Sequence, residues 1–199
     1  MKKTTMEKRR KEIFEAALKV FSDKGFDKTT LEDVADKVGL SKPAIYLYFK
    51  NKEDLFFSMI YDRIKDIEDK LKEIVKMQTQ AIKKIESLIV FKTKFFKENL
   101  NFFKILHEME FEIINLKSAP KFKKKFSNKY KKYINKISNI MQQCIDEGYL
   151  KNDDKYFYTF SLLGLINQNI FRFIILDNND FSENLSKKIY NQFLEGAKK

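Results

Sequence analysis

Apolar residues recur along this chain at intervals of three and four, almost without interruption. Ile13, Ala17, Val20 and Phe21, widened by Phe14 and Leu18, predict a helix over about 5–24, and Gly25 follows as a helix-ending glycine. Thr30 opens a second helix with Leu31, Val34, Ala35 and Val38 inward. Its hydroxyl can cap free N–H groups, Asp33 favours the positive helix end, and Gly39 stops the helix after about two turns. Ser41 then caps a short third helix reaching to about Tyr48. Pro43 falls in its first turn, where a missing N–H costs nothing. Ile45 and Phe49 face inward there, which leaves Lys42, Ala44, Tyr46 and Tyr48 on the outer faces. A longer helix over about 52–76 carries Phe56, Ile60, Ile64, Ile67, Leu71 and Ile74 as one stripe.

The pattern continues with helices over 79–100, 102–116, from Pro120 or Lys121 to 147, from Asp153 or Asp154 to 176, and 183–197 with Ser182 as cap. Asn178, Asn179 and Asp180 form a turn between the last two. With 5 glycines and 2 prolines in 199 residues, a sheet-rich fold is disfavoured. The fold class is therefore all-α, with about nine helices. Residues 1–51 form a three-helix N-terminal domain, and residues 52–199 form a larger helical domain joined to it by the long helix.

Two short helices joined by a tight Gly-containing turn and braced by a longer first helix make a helix-turn-helix, whose second short helix would enter a major groove. Charge agrees with a polyanionic partner. The chain carries +12 at neutral pH, with six basic groups in residues 1–11 and nine lysines without an acid in residues 117–136. Lys42 and Lys52 bracket the groove-facing helix and suit phosphate or guanine. The hydroxyls of Tyr46 and Tyr48 suit phosphates, as do Thr30 and Ser41 at helix N-termini. The lysine run interleaves with Phe122, Phe126, Tyr130, Tyr133, Ile134 and Ile137, as in a helix packed on a core with its back to water or one lying on a membrane surface.

Other chemistry is sparse. Neither a glycine-rich phosphate loop nor a nucleophile elbow nor a histidine-supported triad is present, so the reading is non-enzymatic. His107 precedes Glu108, but position 111 is Phe, so the zinc pattern H-E-x-x-H is missing. With one histidine and one cysteine, Cys144, neither a metal nor another cofactor is expected. A single cysteine and the lack of an N-terminal apolar run fit a reducing cytoplasm. The most apolar stretch, 160–176, is broken by Asn167, Gln168, Asn169 and Arg172, so membrane insertion is not expected.

Residues 13–56 resemble the DNA-binding domain of TetR-family transcriptional regulators. The match runs through A-x-x-x-F (17–21), KGF (24–26), TT (29–30), V-A-x-x-V-G-L-S (34–41) and K-P-A-I-Y-x-Y-F-x-N-K-E-D-L (42–55), about a quarter of the chain. The resemblance implies a homodimer reading a palindromic operator on double-stranded DNA and released by a small molecule bound in the C-terminal half. Leu47 departs from it: family members often carry a polar or aromatic base reader there. Leucine can touch a thymine methyl but cannot hydrogen-bond a base edge, so readout would lean on Lys42, Ala44, Tyr46 and DNA shape.

The Phe-rich middle helices point to an apolar or amphipathic effector held by Phe91, Phe95, Phe103, Phe111, Phe157 and Phe160, with His107 or Asn167 as polar anchors. The 20 phenylalanines equally fit a genome rich in Lys, Ile, Asn and Phe codons. The last two helices are apolar on more than one face. Leu163, Gly164, Ile166, Ile170, Phe171 and Ile174 in one, with Leu185, Ile189 and Phe193 in the other, are the expected subunit interface. A second function class stays open: an effector-independent DNA- or membrane-associated structural protein using the same helix-turn-helix. A closed apolar cavity within 80–176 would favour the first class, and a solidly packed body the second.

Overall fold

In the computed structural model, residues 2–108, 120–176 and 184–197 are described. Among them nine helices and no strand occur: α1 Lys2–Lys24, α2 Leu31–Lys37, α3 Lys42–Tyr46, α4 Lys52–Lys76, α5 Ala81–Glu98, α6 Leu100–Glu108, α7 Pro120–Asp146, α8 Lys155–Ile175 and α9 Leu185–Ala197. The turn at 178–180, the Ser182 cap and the second half of the helix expected over 102–116 lie outside the described residues. The chain forms two compact units, divided within α4 after Asp66 and again at the start of α6.

The first unit combines α1–α3, the first turns of α4, and α6. Ile13, Ala17, Phe21, Val34, Ala35, Ile45, Phe49, Leu55 and Phe56 are fully enclosed. Phe56 is the hub: its ring lies 6.1 Å from Phe21 (edge-on), 5.3 Å from Phe26 and 6.4 Å from Phe102. Leu55, Phe56, Met59 and Ile60 are therefore core residues of this unit, so its compact fold extends past residue 51 into α4.

The second unit packs α5, α7, α8 and α9 pairwise around Ile85, Leu88, Ile89, Ile137, Ile140, Leu162, Ile166 and Ile189. Glu147 closes a long loop by accepting the backbone N–H of Ala81 at 2.8 Å, which places a carboxylate on the N-terminus of α5. Gly148 after α7 has φ 79°, a left-handed stop. Cys144 is enclosed here. Burial, then the nearby Glu147 carboxylate, pushes its thiol up to about 12.

α8 corrects the expected interface. Leu163, Ile166 and Ile170, together with Leu185, Ile189 and Phe193 of α9, are buried inside their own protomer. The outward side of α8 carries a different stripe: Phe157 (61 % exposed), Phe160 (53 %), Gly164 and Ile175 (61 %), with Phe171 half-buried. Of the predicted set, Gly164 lies on this outward side, while Phe171 and Ile174 are half-buried. Phe157 and Phe160, expected inside an effector pocket, thus face outward. The cause is visible in the sequence only as ambiguity: α8 is apolar on both sides, and periodicity cannot tell which side meets its own protomer.

Candidate nucleic-acid interface

The sequence builds the α2–α3 element from local rules. Thr30 accepts the backbone N–H of Asp33 at 3.2 Å, and Asp33 accepts that of Thr30 at 2.9 Å, a reciprocal capping box. Lys24 also pairs with Asp33 at 2.5 Å, and these bonds hold the Asp33 carboxyl down at about 2. Thr29, next to Thr30, is buried and donates to the Gly25 carbonyl at 2.7 Å, which braces the loop between α1 and α2. Gly39, at φ 65°, makes the turn between the two short helices.

Ser41 occupies the N-cap of α3, but its hydroxyl makes no capping bond, contrary to expectation; the cap works through its backbone carbonyl, which accepts from Ala44 at 2.9 Å. Pro43 lies in the first turn of α3 as expected. The helix stops at Tyr46, and Leu47 and Tyr48 continue as a turn rather than as helix. The outer side of this element presents Ser41, Lys42, Tyr46 and Leu47, with Leu47 83 % exposed. Pro43 is exposed, and Ala44 and Tyr48 are half-buried. An exposed leucine at the C-cap of this short helix is not part of the core, and a thymine methyl is a fitting partner.

Sequence reasoning missed Glu32. Its carboxylate, on α2, pairs with Lys42 Nζ at 2.8 Å and accepts the Tyr46 hydroxyl at 3.0 Å. The Lys42 bond first, then a backbone bond and Tyr46, holds the Glu32 carboxyl down at about 2. Two of the candidate DNA-contacting side chains are thereby held in one place by a single acid. The pairing joins residues 10 and 14 positions apart across two helices, and no spacing rule signals it. Because its folded pKa is depressed, this clasp contributes fully above the carboxyl's ordinary value of 4.5 and is lost as pH falls toward 2.

Lys52 donates to the carbonyls of Phe26 at 2.9 Å and Asp27 at 2.7 Å, and its ammonium sits 4.8 Å from the Phe26 ring centre. It closes the loop after α1 and has one N–H beyond those two bonds. Arg9 donates to the Val38 carbonyl at 3.0 Å, at the C-terminal end of α2, and Arg10 lies over the rings of Phe14 and Phe49. Part of the N-terminal basic run thus serves the fold.

The expected effector residues are dispersed. Phe91 and Phe95 pair at 5.5 Å and line an open groove of about 570 Å³ along α5, together with Lys70, Glu86, Ser87, Val90, Lys94 and Glu98. Phe103 and His107 belong to the first unit, Asn167 is exposed on α8, and Phe111 lies outside the described residues. Among the described residues no cluster of His, Cys, Asp or Glu could hold a metal, and no helix is long and apolar enough to cross a membrane.

Comparison with known proteins addresses the same element. Residues 13–59 match the profile of the bacterial regulatory proteins of the tetR family. The chain is 24 % identical over 186 residues, 93 % of each chain, to the fatty acid metabolism regulator protein of Bacillus subtilis. A Clostridium perfringens structure, ascribed to fatty acid metabolism regulation, is 25 % identical and superposes with a TM-score of 0.75 over 93 % of this chain and 97 % of that one. FadR from Bacillus subtilis, solved in complex with stearoyl-CoA, shares the fold at 22 % identity and a TM-score of 0.70, covering 92 % and 95 %. With a capped helix-turn-helix, an exposed cationic reading surface, an all-helical body and these relatives, the chain carries the DNA-binding domain of the tetR family of bacterial regulatory proteins and is a DNA-binding transcriptional regulator.

Proposed function

We propose that this regulator works as a cytoplasmic homodimeric repressor with no enzymatic step. Its paired α3 helices read a palindromic operator, and a long-chain acyl compound releases it. Regulators of this family bind DNA as dimers and respond to small molecules. The observation that carries the DNA half is the exposed surface of Ser41, Lys42, Tyr46 and Leu47 on a rigidly capped α2–α3 element. The acyl half draws on the relatives named for fatty acid metabolism and on the stearoyl-CoA complex of one of them. The dimer half draws on the outward stripe of α8. Gly164 fits this, since a mid-helix glycine costs about 1 kcal/mol relative to alanine and, its own turn of helix aside, nothing described in its protomer comes within 4 Å of where its Cβ would be.

Release has a ready lever. α4 runs for 25 residues, about 37 Å, from the first unit into the second. The two half-sites require recognition helices near one DNA turn apart, about 34–36 Å. A small rotation of α4 would spoil that spacing. Coupling of about 1–3 kcal/mol between ligand and operator gives roughly 5- to 150-fold release.

The test is selection of bound sequences from random DNA, repeated with stearoyl-CoA present, followed by stearoyl-CoA affinity with and without operator. Reciprocity requires the same factor in both directions. Equal affinities would remove the inducer and leave an effector-free DNA-binding protein, a reading that the open rather than closed groove along α5 would suit.

Side-chain predictions follow for the same surface. Lys42→Ala weakens operator binding by about 1–3 kcal/mol, measured by electrophoretic shift; unchanged binding would exclude α3 as the reading helix. Glu32→Gln frees Lys42 and Tyr46 and removes a negative charge facing the phosphates. It tightens binding to random DNA and steepens its salt dependence by about one phosphate, at the expense of the ratio of operator to random affinity. A ratio equal to that of the parent would deny Glu32 any part in specificity.

A further inference from the structure

Three helices of the second unit converge on a polar spot that the DNA-reading surface does not involve. Lys92 of α5 donates to Asn167 Oδ1 of α8 at 3.3 Å, and its ammonium sits 5.7 Å from the ring centre of Tyr133 of α7. The Tyr133 hydroxyl is sealed from solvent and, among the described residues, has no hydrogen-bond partner. Tyr130 stacks on the Tyr133 ring at 6.2 Å, and Phe126 stacks in turn on Tyr130 at 6.4 Å. Among the described residues no carboxylate pairs with Lys92, and burial pushes its ammonium down to about 8, so it stays mostly charged at neutral pH.

The arrangement has donors and lacks an acceptor. An ammonium offers three N–H groups, and one is used here on an amide oxygen. A buried tyrosine O–H offers another and uses none. Folded proteins satisfy nearly all such groups, so this exception calls for an acceptor. A cation would be repelled, and an apolar group would leave the donors as they are. An oxygen carrying negative charge, or a carbonyl oxygen, answers both. Phe91 and Phe95 of the same helix line the groove described above, on a neighbouring face of α5 that does not include Lys92.

We propose that Lys92 and Tyr133 are the polar anchor of the effector site and receive the head-group oxygens of an acyl ligand. This rests on the acyl-effector reading above. The shared chemistry is an oxygen acceptor at the end of a long apolar chain. It can come from the carboxylate of a free fatty acid or from the thioester and phosphates of an acyl-CoA. Asn167 positions the ammonium without being the anchor itself.

Calorimetric titration with stearate, stearoyl-CoA and methyl stearate tests this on the full-length protein, Lys92→Met and Tyr133→Phe, each first checked for unchanged helical content. Lys92→Met should weaken the ligand whose head group occupies the site by about 10- to 100-fold, and Tyr133→Phe by about 2- to 10-fold. Methyl stearate, which has no charge, should change by less than about threefold in Lys92→Met. A loss confined to stearate identifies the carboxylate, and a loss confined to stearoyl-CoA the thioester or phosphates. If the parent binds these ligands and both variants bind them equally well, the anchor assignment is overturned while the acyl reading stands. If the parent binds none of the three, the acyl reading falls and the anchor with it.

Discussion

Phe160→Glu should produce a monomer that has lost operator binding. The side chain lies in the middle of the outward stripe of α8, between Phe157 and Gly164. In a two-fold interface every residue acts twice. Burying one phenylalanine contributes about 1.5–3 kcal/mol, so the substitution removes about 3–6 kcal/mol of association energy. It also sets two carboxylates against an apolar partner surface, where unpaired charge is costly. A weakening of the dimer by about 10²- to 10⁴-fold follows. Each monomer then holds one half-site, and the advantage of binding two at once disappears. Light scattering at micromolar concentration and an electrophoretic shift on the selected operator measure both effects. Leu163→Ala is the matched control. Buried in its own protomer, Leu163 should destabilise the fold by about 2–5 kcal/mol when truncated and leave assembly intact. A Phe160→Glu dimer of parental stability would place the interface elsewhere.

The second large effect concerns the DNA-binding unit. Phe56→Ala should cost about 3–5 kcal/mol, since the ring is fully enclosed and the helices around it cannot collapse into the space. Its neighbours come from three segments: Phe21 from α1, Phe26 from the loop after it, and Phe102 from α6. The loss should appear as a lower midpoint in chemical denaturation, with loss of operator binding at temperatures where the parent still binds. Phe56→Leu, which keeps most of the apolar volume, should recover a large part of both. Should Phe56→Ala denature at the parental midpoint, the aromatic hub would not be what holds the recognition helix in place.

Local chemistry made the reading element legible. The Thr30–Asp33 box, Pro43 in the first turn of its helix, the glycine stops and the boundaries of α4 follow from side chains a few positions apart, and the structure has them where the spacing puts them. Ser41 was half legible: the right residue begins α3, but its carbonyl rather than its hydroxyl does the work. Long-range pairings were not legible. Glu32 meets Lys42 and Tyr46 only because the turn at Gly39 folds α3 back on α2, and Lys92 meets Tyr133 and Asn167 only once three helices have packed. The body misled for a different reason. With apolar residues on both sides of α8, periodicity supports either orientation of Phe157 and Phe160; the structure turns them outward, on the side that also carries the exposed Asn167 and Gln168.

The enclosure of Cys144 has a practical side. A thiol pushed up to about 12 and shut away from solvent supplies almost no thiolate at neutral pH, and thiolate is the reactive form. Alkylating and spin-labelling reagents should pass it by. The natural chain therefore already behaves as a cysteine-free background, with no native residue to remove. A single cysteine introduced at the exposed Lys50, next to the recognition helix, would carry the only label in each protomer. The separation of the two labels in the assembled protein, followed by pulsed electron resonance as acyl ligand is added, would report directly on the distance that decides whether both half-sites can be held.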